Sequence, residues 1–138
     1  MDEEEEATLY AYLSYSDAAA GISWLESLGF VTLARQEGEN GRVLHAELRM
    51  GHAVVMVADA DTDYDVPSLK GSSTGAGLYL VTPDVASLHE RAVRAGGRSV
   101  FPPEQTEWGS TRARVLDPEG HEWSFGTYTP GQQQAGDM

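Results

Sequence analysis

The sequence predicts an α+β fold made of two tandem modules, each with the element order β-α-β-β-β. One observation is an internal repeat, in which Asp84 and Gly96 follow Asp17 and Gly29 with the same offset of 67 residues. The other is a period-two alternation of apolar and polar residues around these pairs, which is typical of strands with one buried face. A chain of 138 residues is long enough for one domain with a hydrophobic core.

The first module is predicted over residues 8–58. Asp17 begins its helix, because an aspartate carboxylate accepts hydrogen bonds from the free N–H groups of the first turn. Gly29 ends the helix, because glycine tolerates the left-handed backbone found there. Four strands are predicted around this helix, over residues 9–15, 30–35, 42–50 and 53–58.

The second module is predicted over residues 77–128 and has the same plan. Asp84 and Gly96 bound its helix, as Asp17 and Gly29 bound the first. Its strands are predicted over residues 78–81, 98–101, 111–116 and 122–128. The linker between the modules is predicted over residues 59–76, and a long loop over residues 102–110.

The composition restricts the possible partners. Residues 1–7 are predicted to be a disordered acidic tail and residues 129–138 a polar tail, and the net charge is −13. This balance argues against nucleic acid and anionic membranes, which require a basic surface. No apolar run approaches the roughly 20 residues that span a bilayer, and the N-terminus lacks a secretory signal pattern, so we expect a cytoplasmic protein. Because cysteine is absent, disulfides, thiolate metal ligands and a cysteine nucleophile are excluded.

Two segments resemble the vicinal-oxygen-chelate superfamily, which includes glyoxalase I, bleomycin-resistance proteins and extradiol dioxygenases. They are D-P-E-G-H-E-W-S-F-G-T-Y at residues 117–128 and L-S-Y-S-D-A-A-A at residues 13–20. Bleomycin-resistance-like and PhnB-like members are the most similar. The resemblance implies two modules whose mixed sheets curl around a cleft, with the helices outside, and a homodimeric protein.

Alternation assigns one face of each strand to the helices and the other to the expected cleft. The helix-facing residues of the first and third strands are predicted to be Leu9, Ala11, Leu13, Leu44, Ala46, Leu48 and Met50. The opposite face collects the predicted ligand-binding residues Tyr10, Tyr12, His45, Glu47, Met56, Tyr79, Arg112, Arg114, Glu122 and Ser124. Trp108, in the predicted loop, joins them as a lid residue that could stack on a flat or cationic ligand, or alternatively packs on the sheet edge.

The resemblance also indicates where a metal would be held. In metal-using members, ligands come from four positions, which fall here on Tyr10, Met56, Ala76 or Gly77, and Ser124. These residues cannot complete a hard-metal shell, so no metal and no cofactor are predicted. His45 and Glu47 could form a displaced metal site, an acid–base pair or a structural pair, which we expect to be joined to Arg112 or Arg114. His52 and His121 lie at turns and are expected to be exposed.

The predicted function is metal-independent binding of a small aromatic or cationic molecule, as in antibiotic resistance by sequestration. One alternative is a lyase, isomerase or dioxygenase that uses a displaced metal or an acid–base pair, with Glu47 and His45 as the catalytic candidates. A second alternative is a degenerate module that serves in dimerisation or regulation.

Overall fold

A computed structural model describes residues 7–61 and 75–131. The elements of the first module are β1 (Ala11–Tyr15), α1 (Ala18–Leu28), β2 (Val31–Glu37), a 3₁₀ turn (Glu39–Gly41), β3 (Val43–Met50) and β4 (Ala53–Asp59). Those of the second module are β5 (Gly77–Val81), α2 (Val85–Arg94), β6 (Arg98–Gln105), β7 (Thr111–Leu116) and β8 (Glu122–Gly126). The predicted order of elements is therefore confirmed in both modules.

Each module forms one four-stranded mixed sheet, and the two sheets have the same topology. The strand orders are β1-β4-β3-β2 and β5-β8-β7-β6. The first and last strands of each module pair in parallel, whereas the other pairs are antiparallel. This matching topology confirms the α+β class and the internal repeat, with curled sheets that are not closed into a barrel.

The helix boundaries follow the predicted capping chemistry. The Asp17 carboxylate accepts a hydrogen bond from the Ala20 N–H at 3.1 Å, and the Asp84 carboxylate accepts one from the Ser87 N–H at 3.0 Å. Gly29 has a φ of 124°, in the left-handed region that glycine favours. The caps therefore fix where each helix begins and where the first one ends.

One hydrophobic core runs through both modules. Trp123 of β8 is fully buried, and its ring centroid lies 6.0 Å from that of Trp24 in α1 and 6.0 Å from that of Phe30. The Trp24 indole N–H donates to the Ala92 carbonyl of α2 at 3.0 Å. Because these contacts cross from one module to the other, the modules stabilise each other through shared packing.

A β-bulge in the first sheet makes the start of β3 face differently from the prediction. Gln36 pairs with His45, but Glu37 pairs with Val43, so Leu44 has no partner. Leu44, predicted to face the helix, is 54% exposed, and its neighbour Val43 is buried instead, because the extra residue shifts the alternation by one position. The prediction for Leu9 was also wrong, because β1 begins pairing only at Ala11 and leaves Leu9 96% exposed.

The first part of the predicted long loop of the second module, residues 102–105, is strand. β6 continues through Pro102 and Pro103 to Gln105. The prolines fall in a register shift between the pairs Phe101–Arg114 and Glu104–Arg112, on the edge strand of the sheet. Residues in a bulge on an edge strand do not have to donate a backbone hydrogen bond to the partner strand. Proline, which lacks an N–H, therefore does not interrupt β6 there.

Smaller differences concern the ends of elements. β8 ends at Gly126, two residues before the predicted end. β4 includes Asp59, which the prediction placed in the linker, and the Asp59 carboxylate accepts hydrogen bonds from the N–H groups of Ala18 and Val43 at 2.9 and 2.7 Å. The predicted tails and linker fall mainly on residues 1–6, 62–74 and 132–138, outside the described residues. Within the described ranges, neither helix is long and apolar enough to cross a membrane.

Candidate functional site

Strand register places one row of side chains across the non-helical face of each sheet. In the first sheet, Cα pairing aligns Tyr12, Met56, Glu47 and Ala34, and we call these residues the first row. In the second sheet, it aligns Tyr79, Ser124, Arg114 and Phe101, which form the second row. Paired residues point to the same face of a sheet, so each row is a continuous surface.

The repeat offset relates three of the four positions in the two rows but changes their chemistry, whereas Met56 and Ser124 are 68 residues apart. Tyr79 corresponds to Tyr12, as predicted, while Arg114 takes the place of Glu47 and Phe101 that of Ala34. The first row thus carries a carboxylate, and the second row carries a guanidinium and an added ring. Two modules of one topology therefore present chemically different surfaces.

The second row borders a cavity of about 340 Å³. Its polar and aromatic lining residues are Tyr79, Phe101, Arg112, Arg114, Glu122 and Ser124. Arg114 donates through Nε to the Ser124 hydroxyl at 2.9 Å, and the same nitrogen lies 3.6 Å from a Glu122 carboxylate oxygen. Five predicted binding residues, all from the second module, are brought together here.

Trp108 lies in the hairpin turn between β6 and β7. The turn is closed by a hydrogen bond from the Thr106 N–H to the Ser110 carbonyl at 2.8 Å. The Trp108 side chain is 73% exposed and lines a cavity of about 820 Å³, whose wall also contains Tyr79, Arg112 and Tyr128. Because Tyr79 and Arg112 line both cavities, Trp108 stands at the outer end of the second-row surface rather than on a long lid loop.

Glu47 of the first row belongs to the predicted polar pair, and its partner His45 lies two residues before it on β3. The His45 Nε2 atom lies 2.8 Å from a Glu47 carboxylate oxygen, and both side chains are partly exposed. The arginines expected to join this pair belong to the other sheet, where Arg112 is bonded to Glu104 at 3.0 Å. Tyr12 also lines a groove of about 370 Å³ between the modules, together with Leu78 and Glu122, whereas Tyr10 precedes β1 and is 53% exposed.

A cluster of hydrogen bonds joins the modules at the turn between β7 and β8, residues 117–121, which we call the closing turn. The sequence did not predict this cluster. The Asp117 carboxylate is buried and accepts a hydrogen bond from the Tyr15 hydroxyl at 2.8 Å. His121 contacts both Asp117 oxygens through Nδ1, at 3.1 and 3.0 Å, and contacts the Ser14 carbonyl through Nε2 at 3.1 Å. His121 is therefore only partly exposed, contrary to the prediction. The Glu119 carboxylate accepts hydrogen bonds from the backbone N–H groups of Ser16 and Asp17, which immediately precede α1.

The electrostatics of this cluster follow from its hydrogen bonds. The bond to Asp117 raises the pKa of His121 against the opposing effect of burial. Burial works against ionisation of Asp117, but the hydrogen bonds from His121 and Tyr15 outweigh it and lower its pKa. Burial, together with the nearby Asp117 charge, raises the pKa of Tyr15. The ionised Asp117 carboxylate and its hydrogen bonds thus join the closing turn of the second module to the first module.

The four positions where the family would hold a metal do not supply a suitable set of ligands. Met56 offers a thioether, Gly77 has no side chain, and the Ser124 hydroxyl is bonded to Arg114. Hard divalent cations need several carboxylate, carbonyl or imidazole ligands. Nowhere in residues 7–61 and 75–131 do three or more His, Cys, Asp or Glu residues group as a metal site requires.

Phe101 and Tyr128 are further site residues that were not predicted. The sequence predicts Phe101 only as the last residue of its strand, but the strand register pairs it with Arg114. Tyr128 was assigned to β8, but it follows the strand, and its carbonyl accepts a hydrogen bond from the Tyr79 hydroxyl at 2.6 Å. Applying the offset to the whole second strand would relate Phe101 to Ala34, whereas no sequence signal identifies Tyr128.

Comparison with known proteins defines the class. Residues 9–125 match the family model described as Glyoxalase/Bleomycin resistance protein/Dioxygenase superfamily. An uncharacterized protein of Mycobacterium bovis is 33% identical over 131 residues, covering 88% of this chain and 83% of that protein. The chain belongs to the glyoxalase/bleomycin resistance protein/dioxygenase superfamily, as the resemblance predicted.

Two solved structures extend the comparison. TioX from Micromonospora sp. ML1 is similar with a TM-score of 0.70 and 29% identity, covering 90% of this chain and 100% of that one. A bleomycin-binding protein in complex with bleomycin is similar with a TM-score of 0.60 and 21% identity, covering 90% and 100% of the two chains. The latter likeness shows a shared fold.

Proposed function

We propose that this protein binds a small molecule with a flat aromatic part, without a metal or cofactor, on the surface formed by the second row and Trp108. The observation that carries the proposal is the pair of adjoining cavities, about 340 and 820 Å³, that share Tyr79 and Arg112. Small-molecule sites are concave surfaces of this size with aromatic walls and a few directed polar groups. Aromatic rings also gain from offset or edge contacts with other rings.

Sequestration is the role that fits this surface best. The arginines that line the smaller cavity are held by neighbouring side chains, as Arg114 is by Ser124 and Arg112 by Glu104, and such fixed groups favour recognition of a ligand. A relative of the same fold was crystallised with bleomycin. We therefore propose a cytoplasmic protein that lowers the free concentration of a toxic aromatic compound, such as an antibiotic.

A homodimer is part of the proposal, because both rows are open in a single chain. Tyr12 is 54% exposed and Tyr79 is 39% exposed, each on the non-helical face of its sheet. A second copy that covers these faces would turn two open surfaces into clefts. Sedimentation of the full chain at micromolar concentration tests this point, and a monomer would contradict it.

Calorimetric titration tests the binding site. Bleomycin and a panel of flat aromatic compounds are titrated into the full chain and into a Trp108→Ala variant. We expect at least one compound to bind, and Trp108→Ala to weaken it by about tenfold, the effect of removing one stacking ring. A Val93→Ala variant, which alters an exposed apolar residue on α2, is the matched control. Undiminished binding to Trp108→Ala would refute the assigned surface.

The His45–Glu47 pair supports a second candidate function, acid–base catalysis on the first row. Its separation of 2.8 Å is within the range over which a carboxylate orients an imidazole as a general base. In that case, Glu47→Gln would abolish turnover of a bound substrate and leave its affinity nearly unchanged. A ligand that is recovered unaltered from wild-type protein would favour sequestration instead.

A further inference from the structure

Two guanidinium groups flank one aromatic ring on the second-row surface. The Cζ atom of Arg112 lies 5.1 Å from the centre of the Phe101 ring, and that of Arg114 lies 5.2 Å from it. The arginines are two residues apart on β7, so their side chains leave the same face of the sheet. Both line the cavity of about 340 Å³ together with Tyr79.

Neighbouring side chains hold each guanidinium by its Nε edge. Arg112 donates through Nε to Glu104 at 3.0 Å, and Arg114 donates through Nε to Ser124 at 2.9 Å. Within residues 7–61 and 75–131, no hydrogen bond engages the Nη groups of either arginine. Guanidinium carries five N–H donors in a planar fork that matches the two oxygens of a carboxylate, so these Nη groups, unbonded among the described residues, suit a carboxylate ligand.

We propose that this cavity is a subsite for the carboxylate of an aromatic ligand, held by the Nη edges of Arg112 and Arg114. This inference deepens the proposed function and rests on it. The positions related to Arg112 and Arg114 by the repeat are His45 and Glu47, which are bonded to each other. The carboxylate subsite is therefore a property of the second module alone.

The acidic neighbours of the arginines define how the subsite would recognise its ligand. Glu104 and Glu122 balance the positive charges of the two arginines, so the net electrostatic attraction for an anionic ligand is small. The direction of the Nη donors would then determine which ligand group is preferred. Glu122 lies close against β5, since a Cβ added to Gly77 would sit 2.8 Å from its Oε2 atom. A carboxylate should thus be preferred over an uncharged group of the same shape, with only a weak dependence on salt concentration.

Three naphthalene probes of matched shape test the subsite by calorimetry with the full chain: 1-naphthoate, 1-naphthamide and 1-naphthylmethylammonium. We expect the carboxylate to bind about tenfold more tightly than the amide, the scale of one charge-assisted hydrogen-bond pair. Arg114→Gln and Arg112→Gln should each remove this preference. Arg114→Lys, which keeps the charge but not the fork, should reduce it. Arg94→Gln on the exposed face of α2 is the control and should retain it.

The outcomes separate the subsite from the proposed function. If acid and amide bind equally, and both are weakened by Trp108→Ala, the surface binds aromatic ligands but the carboxylate subsite is wrong. Preferential binding of the ammonium probe overturns the subsite in the same way. If none of the probes and no compound of the aromatic panel binds, both the subsite and the proposed function are contradicted. If the arginine variants change the sedimentation coefficient but not the preference for the acid, these side chains serve an interface between copies and the subsite is overturned.

Discussion

The Tyr15 hydroxyl donates a 2.8 Å hydrogen bond to the Asp117 carboxylate, which joins β1 of the first module to the closing turn of the second across 102 residues of sequence. Both groups are buried. Tyr15→Phe removes the donor and keeps the ring, so we expect a loss of about 1–2 kcal/mol in the free energy of unfolding. Chemical denaturation measures this loss, with Tyr10→Phe as the control at an exposed ring. Equal stabilities for wild type and Tyr15→Phe would show that this bond contributes nothing.

His121 should make the stability of the protein depend on pH. Its Nδ1 faces the Asp117 carboxylate and its Nε2 faces the Ser14 carbonyl, and only the protonated imidazole can donate to both. The nearby Glu119 carboxylate acts in the same direction, so the pKa of His121 is raised above its usual value of 6.5. The stabilisation is then complete below pH 6.5 and is lost as pH rises through the pKa of the folded state.

Urea denaturation of wild type and His121→Gln over pH 6 to 9 tests this dependence. We expect the stability difference to be largest at pH 6 and to shrink steadily toward pH 9. His52→Gln, at the exposed turn between β3 and β4, is the control and should show a nearly constant difference. The idea fails if the His121→Gln difference is constant or grows with pH.

Gly21 of α1 should resist replacement by alanine, although alanine is the better helix former. A Cβ at this position would lie 2.7 to 2.9 Å from three carbons of the buried Tyr15 ring. The ring is held by packing and by Asp117, so we expect Gly21→Ala to destabilise the protein by about 1–3 kcal/mol. Thermal unfolding compares it with Ser23→Ala on the exposed face of the same helix. A raised Tm for Gly21→Ala would mean that the Tyr15 ring moves freely.

Gly126 supports the binding surface in a similar way. A Cβ there would meet the Tyr79 ring, with its Cε1 atom at 2.8 Å, and would force the ring to turn. The hydrogen bond from the Tyr79 hydroxyl to the Tyr128 carbonyl would then break, and both cavities would change shape. We expect Gly126→Ala to weaken binding of a naphthalene probe by about tenfold, measured by calorimetry. Val93→Ala, at an exposed position of α2, is the control, and equal affinity of the two variants would contradict this role for Tyr79.

Local rules predicted most of the fold. Asp17, Asp84 and Gly29 act as caps because capping depends on residues a few positions apart. The alternation in β4, β7 and β8 was also read correctly, since one buried face repeats every second residue. The errors fall at bulges, because the partner strand decides where an extra residue is inserted, as at Leu44 and at the prolines of β6.

The candidate site was predictable only within each module. The repeat located Tyr12 and Tyr79, and it related Glu47 to Arg114. Contacts between residues far apart in the chain were not visible in the sequence. The hydrogen bonds that Asp117 and His121 make with β1 depend on how the second module packs on the first. The sequence places His121 at a turn, and turn histidines are usually exposed, so these bonds were not predicted. A long-range pair of this kind needs the three-dimensional arrangement to be recognised.

Fluorine NMR on protein labelled with 5-fluorotryptophan tests the central claim most directly. The chain has three tryptophans: Trp24 and Trp123 are buried in the core, at 2% and 0% exposure, while Trp108 is exposed beside the second row. A Trp108→Phe variant assigns its resonance. With a saturating naphthalene probe, we expect the Trp108 signal to shift and the two core signals to stay in place. A Trp108 signal that does not move while calorimetry shows the probe bound would contradict the assigned surface.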